Sequence, residues 1–448
     1  MASAPSPSGV VSSGAWAQRP SGVPAAVPPP GIPLAFLGAS GLGLVAMGVA
    51  WVLTAGAASR DLTADPVVAA VHLGVLATLA TGVLGAMHQF VPVITARPIR
   101  SVRTAATSLI VWVVGAWALP LGIGTGSPAT TAVGGAALGV AVALVTWNLA
   151  PSLRVRGKGS SVTALRWSLA GAIATTLVGV AFVGDRRAAW FPLSGHVDLA
   201  MGVVGMFAWL GTAYIGVAAK LWPMFMLAHL ERPDRAGATA VWAMPIGAIV
   251  LATGLAIRRD LVAEVGALVL AVAIVAHLRS LVAHVAHRRR ARDLHLVYVL
   301  TSAGLLVAGS LLGAAGTIAV RMRVDAGPGL VAAAMVAFGG WLLVALVGHA
   351  HKVVPFIGWS LLRARGVRTG PSGRPLAFAD LIDARWAALG YGQVTAGVVA
   401  LASGLATRSV GLLVTAGALL AASGVTVTLN LVVHPWRVAR SAPAADVP

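Results

Sequence analysis

The chain has 448 residues, of which 58% are hydrophobic and only 10% are charged, and its mean hydropathy is +0.88. A soluble globular chain carries about 25% charged residues, so this composition indicates a bilayer protein. The absence of cysteine excludes disulfides, cysteine-ligated iron–sulfur clusters and thiolate-ligated haem. The formal net charge of +19 would favour nucleic acid in a soluble protein. Here the basic residues lie in short loops, where they report topology, and we expect no nucleic-acid partner.

The first 31 residues are rich in Pro, Ser, Ala and Gly and lack the basic start and apolar run of a signal peptide. They are predicted to be a disordered cytoplasmic tail. Apolar runs of about 20 residues then recur along the chain. They predict twelve membrane spans, at 32–57, 67–94, 104–124, 131–151, 164–184, 193–219, 237–257, 261–285, 294–320, 329–360, 386–406 and 410–434.

Three stretches of the chain share one signature, at residues 85–92, 216–223 and 348–355. Each has Gly seven residues before Pro and Gln or Lys three residues before Pro. The prolines lie 131 and 132 residues apart, and each signature falls at the end of the second span of a four-span group. The pattern predicts an all-α integral membrane protein with three pseudo-symmetric four-helix repeats, at about 32–151, 164–285 and 294–434.

Basic residues are unequally shared between the two sets of span ends. Apart from the two lysines of the signatures, 22 lie on the side of the signature prolines and 8 on the other side. The positive-inside rule therefore predicts that both termini, including a tail at 436–448, are cytoplasmic in a bacterial-type inner (plasma) membrane. The longest internal loop, 361–385, is predicted to be either an ordinary connection or a short interfacial helix around Phe378, Leu381 and Ile382.

Ionisable residues within a bilayer are costly and are therefore functional candidates. His72 and His196 open spans 2 and 6 from the same side, and we interpret them as candidate ligands of a haem or metal in a central cavity. They stand 20 and 27 residues before the prolines of their repeats, so their registers differ. An interfacial position is the alternative for His196.

His88 and His351 occupy one slot of the signature, where repeat 2 has Ala219. They form a candidate inner metal-binding pair, or are helix-end imidazoles. Because His72 and His88 are roughly 24 Å apart along a helix, one mononuclear site cannot use both. His349 and His351 are two residues apart and point in nearly opposite directions, so they would serve different centres.

Other polar residues recur in the repeats. Lys220 and Lys352 are predicted either to reach the headgroups or to pair with an anionic cofactor group such as a haem propionate. Asn148 and Asn430 lie at equivalent points of spans 4 and 12 and are predicted to form interhelical hydrogen bonds. The remaining ionisable residues near span ends are interpreted as solvated flanks or surface pairs, namely His277, His284, His287, His229, His295, His434, and Glu264 with Arg258 or Arg259.

At this point the chain resembles subunit I of the haem–copper oxidase and nitric oxide reductase superfamily. The element from His72 to Pro92 is similar to the second span of that family, which begins with a haem-ligating His and ends in a Gly-rich stretch before Pro. The motifs 88–92 and 351–359 resemble a divergent branch of subunit I-like proteins. The resemblance implies a twelve-span fold with pseudo-threefold symmetry, haem b as cofactor with copper or another metal, and an electron-donor protein or further subunits as partners.

The sequence departs from that family at its copper site. The start of span 7, at 238–242, has no histidine pair, and no Tyr stands four residues after His196. His349 and His351 also lie close to Pro355, at the opposite end from the span 10 histidines of the family. An oxygen-reducing terminal oxidase is therefore not expected.

Three hypotheses follow from the sequence. The first is a haem- or metal-binding protein in electron transfer, gas sensing or detoxification. The second is a multi-pass permease that uses the same histidines and lysines. The third is a non-catalytic scaffold with the same fold.

Overall fold

The computed structural model describes residues 29–156, 159–188, 195–364, 366–370 and 373–441. Most of the predicted tail 1–31 lies outside these ranges. Within them, twelve helices are long and apolar enough to cross a bilayer. They are α1 Gly31–Ala58, α2 Asp65–Thr95, α3 Val102–Gly124, α4 Pro128–Leu153, α5 Gly159–Asp185, α6 His196–Met226, α7 Arg235–Ala256, α8 Asp260–Ala286, α9 Leu294–Arg321, α10 Gly327–Arg363, α11 Ala384–Thr407 and α12 Val410–Val433.

The prediction of an all-α protein with twelve spans is confirmed, and each predicted span coincides with one helix. No strand occurs in the described ranges. Large apolar side chains such as Leu53, Leu177 and Leu311 are exposed on the outside of the bundle. In a helix of this length and hydropathy they face lipid tails, so the bilayer is a partner of this protein.

The second helices of the first two repeats, hereafter unit 1 (α1–α4) and unit 2 (α5–α8), share an irregularity. Each contains a π-helical segment, Leu73–Ala80 in α2 and Val204–Gly211 in α6. Both ends of these segments are 131 residues apart, the spacing of Pro92 and Pro223. The residue after each segment, Thr81 or Thr212, donates a hydrogen bond from its hydroxyl to the carbonyl five residues earlier. The repeat inferred from the signature is therefore also a repeat of backbone geometry.

Unit 3 (α9–α12) differs at this point, because the corresponding part of α10 is regular α-helix. In unit 1, Gly43 of α1 lies directly over the carbonyl of Ala77, and a Cβ there would overlap that oxygen. Gly171 of α5 stands in the same relation to Ala208. In unit 3 the large residue is on the first helix, where Leu305 lies against Gly340 of α10. The irregular helices are thus those that a glycine lets a neighbouring helix approach.

The glycine of each signature lies against the first helix of its own unit. A Cβ added to Gly85, Gly216 or Gly348 would overlap a side chain of that helix. The neighbours are Phe36 in α1, Ala164 in α5 and Tyr298 in α9. The predicted close helix contact at these glycines is confirmed, and it fixes the second helix at the same depth in every unit.

The signature prolines were predicted to kink or end their helices, and two of the three are close to a helix end. α2 ends at Thr95 and α6 at Met226, each three residues after the proline, and the next residue is left-handed, with φ of 55° at Ala96 and 51° at Leu227. α10 instead continues through Pro355 to Arg363. We call the end of the bundle that holds the three prolines the proline side.

The first and last helices close the bundle against each other. A Cβ on Gly48 of α1 would overlap the backbone of Ala421, and a Cβ on Gly417 of α12 would meet the carbonyl of Gly48. Small residues at facing positions let two helix backbones touch, which is the main source of helix attraction inside a bilayer.

On the proline side, the fourth helix of each unit is bonded to the start of the third. Asn148 accepts a hydrogen bond at 2.8 Å from the backbone N–H of Ser101, the residue that caps α3. Asn430 accepts one at 2.9 Å from the N–H of Asp383, which caps α11. In unit 2 the same link runs from the hydroxyl of Ser280 to Asp234, the cap of α7. The predicted interhelical hydrogen bonds of the two asparagines are confirmed.

The loop 361–385 contains one helical turn, a 3₁₀ turn at Phe378–Leu381. Leu381 is buried, while the indole of Trp359 donates to the carbonyl of Leu376 at 2.7 Å. The alternative of a short helix is therefore the one observed, without Ile382. Past α12 the chain forms α13, His434–Ser441, over the first part of the predicted tail 436–448. The rest of that tail lies outside the described residues.

The contact of Gly348 with Tyr298 predicts a sharp stability effect. Gly348→Ala forces α10 away from α9, and overpacking of this kind costs about 1–3 kcal/mol. We expect a lower thermal midpoint in detergent for this variant. Gly304→Ala is the matched control, because Gly304 has open space around its Cβ position. Equal midpoints for the two variants would contradict the packing described for the signature glycines.

Candidate functional site

Six described histidines share one hydrogen-bonding geometry. The Nδ1 atom of each lies 2.7–2.8 Å from the carbonyl oxygen four residues earlier in its helix. Because a carbonyl only accepts, the hydrogen of the neutral ring is on Nδ1, and Nε2 presents its lone pair. These residues are His72, His88, His284, His287, His349 and His351.

His88 and His351 are the most closely related pair among them. Both are buried, and neither Nε2 has a hydrogen-bond partner. The ring of His88 stacks on Phe36 of α1, with centroids 5.1 Å apart, and that of His351 stacks on Tyr298 of α9, at 5.6 Å. Each imidazole is therefore held by the first helix of its own unit.

Unit 2 lacks this stack altogether. Ala219 occupies the slot of the imidazole, and Ala164 occupies the slot of the aromatic ring. Both halves of the ring pair are replaced together, so the helix contact survives without the imidazole. The predicted inner pair is thus confined to units 1 and 3.

The structure separates His72 from His196. His72 is half-buried, with its Nδ1 bonded to the carbonyl of Val68 at 2.8 Å, and His196 is exposed at the start of α6. The π-helical segments fix a register of 131 residues between α2 and α6, so His72 corresponds to Val203. The expectation that His72 and His196 hold corresponding positions is therefore wrong.

His349 points away from His351, as the two-residue spacing predicts. Its ring contacts His295 of α9, with centroids 4.9 Å apart, and Tyr214 of α6, at 5.8 Å. Its Nε2 is buried and has no partner. His349 thus belongs to the junction of units 2 and 3, whereas the stack of His351 is internal to unit 3.

The interpretation of His277, His284 and His295 as solvated or flanking residues is wrong, because all three are buried. Tyr214 connects them to His349, since its ring also contacts His277 at 5.6 Å, and Trp222 contacts His277 at 4.9 Å. Packing of α6, α8, α9 and α10 against one another covers these rings. We call the set His277, His284, His295, His349, Tyr214 and Trp222 the junction cluster.

Sequence reasoning had one signal for this cluster, because His277 stands within an apolar span. His284 and His295 stand beside arginines at span ends, which is the pattern of a solvated flank. Only tertiary packing distinguishes a covered helix end from an exposed one.

The two signature lysines have different surroundings. Lys220 is exposed. The ammonium of Lys352 lies 2.6 Å from Asp293, which precedes α9 and also pairs with Arg290 at 3.5 Å. The Lys352 and Asp293 side chains are 22% and 31% exposed, at the edge of the bundle. On the other side of the protein, Glu264 pairs with Arg321 at 2.7 Å instead of with Arg258 or Arg259.

An apolar cavity of about 570 Å³ lies between units 1 and 3. Its wall is formed by α1, α2, α10 and α12, and the hydroxyls of Ser40, Thr78 and Thr428 are its polar groups. The volume is that of a small-molecule site. Val347, Ala350 and Val354 line it on α10, so the cavity lies beside His351 without including any imidazole.

In the part of the chain that the structure describes, no group of three or more His, Asp or Glu side chains converges as a metal site. Imidazoles are therefore available singly or in pairs. One or two imidazoles are enough for the axial positions of a haem or for a low-coordinate metal ion, but not for a closed four-ligand structural site.

No protein-family model matches the chain, and a search among curated proteins finds no match. The resemblance to subunit I of the haem–copper oxidases therefore stays a hypothesis.

The tautomer of the buried imidazoles is directly measurable. We expect nitrogen NMR of histidine-labelled protein to show Nδ1 protonated and Nε2 unprotonated for His88, His349 and His351, because each Nδ1 faces a carbonyl. Variants with each histidine changed to Gln assign the signals. Protonated Nε2 at these positions would contradict the hydrogen bonds described here.

Proposed function

We propose that this membrane protein holds a haem or a metal ion through buried imidazoles and serves electron transfer or a reaction of a gas such as NO or O₂. The observation that carries the proposal is the pair His88 and His351. Both are buried at the same signature slot, with Nδ1 committed to a backbone carbonyl and Nε2 without a partner.

The proposal is supported by the way histidines bind metals. A ligating imidazole usually donates its second N–H to a carbonyl or carboxylate, which fixes the ring and its tautomer. A buried polar atom without a partner costs about 1–3 kcal/mol. Coordination of Nε2 would offset that cost for His88 and His351, whereas His287 has the same Nδ1 bond in an exposed position and bears no such cost.

The residues that would hold the group have separate roles. His88 and His351 would donate Nε2, and the rings of Phe36 and Tyr298 would hold the imidazoles in orientation. A bound haem or redox-active metal would supply reversible electron transfer. Lys352 already pairs with Asp293, so a haem propionate would have to compete with that carboxylate.

Oxygen reduction is not part of the proposal. The start of α7 has no histidine pair of the kind that holds copper in the oxidases that the chain resembles. Electron transfer or gas binding at a single centre needs no such pair.

Purified protein tests the proposal through its optical spectrum and metal content. From haem-replete cells we expect a Soret band, a pyridine haemochrome or a bound metal that is lost in His88→Ala and His351→Ala. His287→Ala is the matched control and should leave the signal unchanged. A colourless, metal-free preparation would overturn the proposal, as would a signal indifferent to both buried histidines.

A permease is the second candidate, favoured by the partly buried Lys352–Asp293 ion pair next to His349 and His351 in sequence and in space. It predicts proton-coupled flux in sealed vesicles, because a paired charge at the edge of a bundle can load and release a proton or an ion. Lys352→Met and Asp293→Asn should abolish that flux, while Lys220→Met should not. No flux, or equal flux in the three variants, would exclude this candidate.

A further inference from the structure

The junction cluster contains one pair of imidazoles in direct contact, from two different helices. His295 is in the first turn of α9, and His349 lies in α10. Their ring centroids are 4.9 Å apart and the ring planes are at 80°. Both side chains are more than nine-tenths buried, at 4% and 8% exposed.

Both Nε2 atoms of this pair lack a hydrogen-bond partner. The Nδ1 of His349 donates to the carbonyl of Ala345 at 2.7 Å, which leaves its Nε2 as a lone pair. Two adjacent unpartnered ring nitrogens are unusual, since nearly all buried polar atoms in native proteins are satisfied by protein, water or an ion. The pair therefore lacks a component.

The separation of the rings fits a shared metal ion. Imidazole nitrogens bind transition metals at about 2.0 Å, which places the centroids of two rings on one tetrahedral ion roughly 5 Å apart. The observed 4.9 Å agrees with that value. No other two imidazoles in the junction cluster have a ring contact of this kind, because Tyr214 and Trp222 lie between the remaining ones.

The surroundings select the charge of the ion. Asp293 is two residues from His295, but its carboxylate already accepts from Lys352, from the N–H of Leu296 and from Arg290. It is therefore committed, and Lys352 and Arg290 make the vicinity positive. Repulsion of a bound cation grows with its charge, so a monovalent ion is favoured over a divalent one.

The wall of the site is aromatic. Phe225 of α6 contacts His295 at 5.2 Å and His349 at 6.3 Å, and Tyr214 contacts His349 from the same helix. A dry wall with two neutral nitrogen donors suits an ion of low charge. Copper is among the metals that imidazole binds best, and its reduced form is monovalent.

We propose that His295 and His349 bind one Cu(I) ion at the junction of units 2 and 3. The inference rests on the proposal that buried imidazoles act as ligands in this protein, but not on His88 or His351. It brings α9 and α10 of unit 3 together under a wall supplied by α6 of unit 2.

The test is the copper content of full-length protein purified under reducing conditions from copper-supplemented cells. We expect copper equimolar with the chain, silent in electron paramagnetic resonance, with nitrogen ligands in X-ray absorption. His295→Ala and His349→Ala should each lose it, and the exposed-histidine control His287→Ala should keep it. The double variant His88→Ala with His351→Ala should keep copper too, which separates this site from the proposed haem or metal site.

Several results would overturn the inference. They are wild-type protein without copper, zinc instead of copper on the same histidines, or copper that persists in both single variants. If an alanine variant does not fold, His295→Gln and His349→Gln replace it. Absorption spectra of the wild-type metal without two nitrogen ligands would have the same meaning as a metal-free pair.

Discussion

The constraint on which the rest of this structure depends is that the bilayer interior offers no water to a polar group. Every buried N–H and C=O must find its partner within the protein, and the side chains of this protein follow the same rule where they can. Buried and half-buried imidazoles bond the carbonyl one turn back, and the cap residues of α3, α7 and α11 are bonded from the fourth helix of their unit. Against this background the unpartnered Nε2 atoms are exceptions.

The three units solve one packing problem with different residues. Phe36 with His88, Ala164 with Ala219 and Tyr298 with His351 are three versions of one contact, changed on both sides at once. The small and large residues of Gly43 with Ala77 are exchanged in Leu305 with Gly340. Close packing tolerates such paired changes far better than single ones. Units 1 and 3 carry the chemistry of the signature slot, while unit 2 keeps only its shape.

The polar residues of the protein are concentrated where units meet. The junction of units 2 and 3 holds four buried histidines with Tyr214 and Trp222, and the junction of units 1 and 3 holds the apolar cavity. A repeat protein can specialise its junctions independently, because each is formed by a different pair of helix faces. The Lys352–Asp293 pair lies at the edge of the first junction, where partial exposure lowers the cost of two charges.

The sequence by itself determined the twelve spans, the fourfold grouping, the close approach at Gly85, Gly216 and Gly348, and the roles of Asn148 and Asn430. These follow from hydropathy, from spacing and from the absence of a Cβ, which are local properties. Tertiary structure alone decided which histidines are covered. His295 and His284 stand in sequence like solvated helix ends, and His196 like a counterpart of His72. Burial and register depend on which helices pack together, and on two π-helical segments that spacing alone does not reveal.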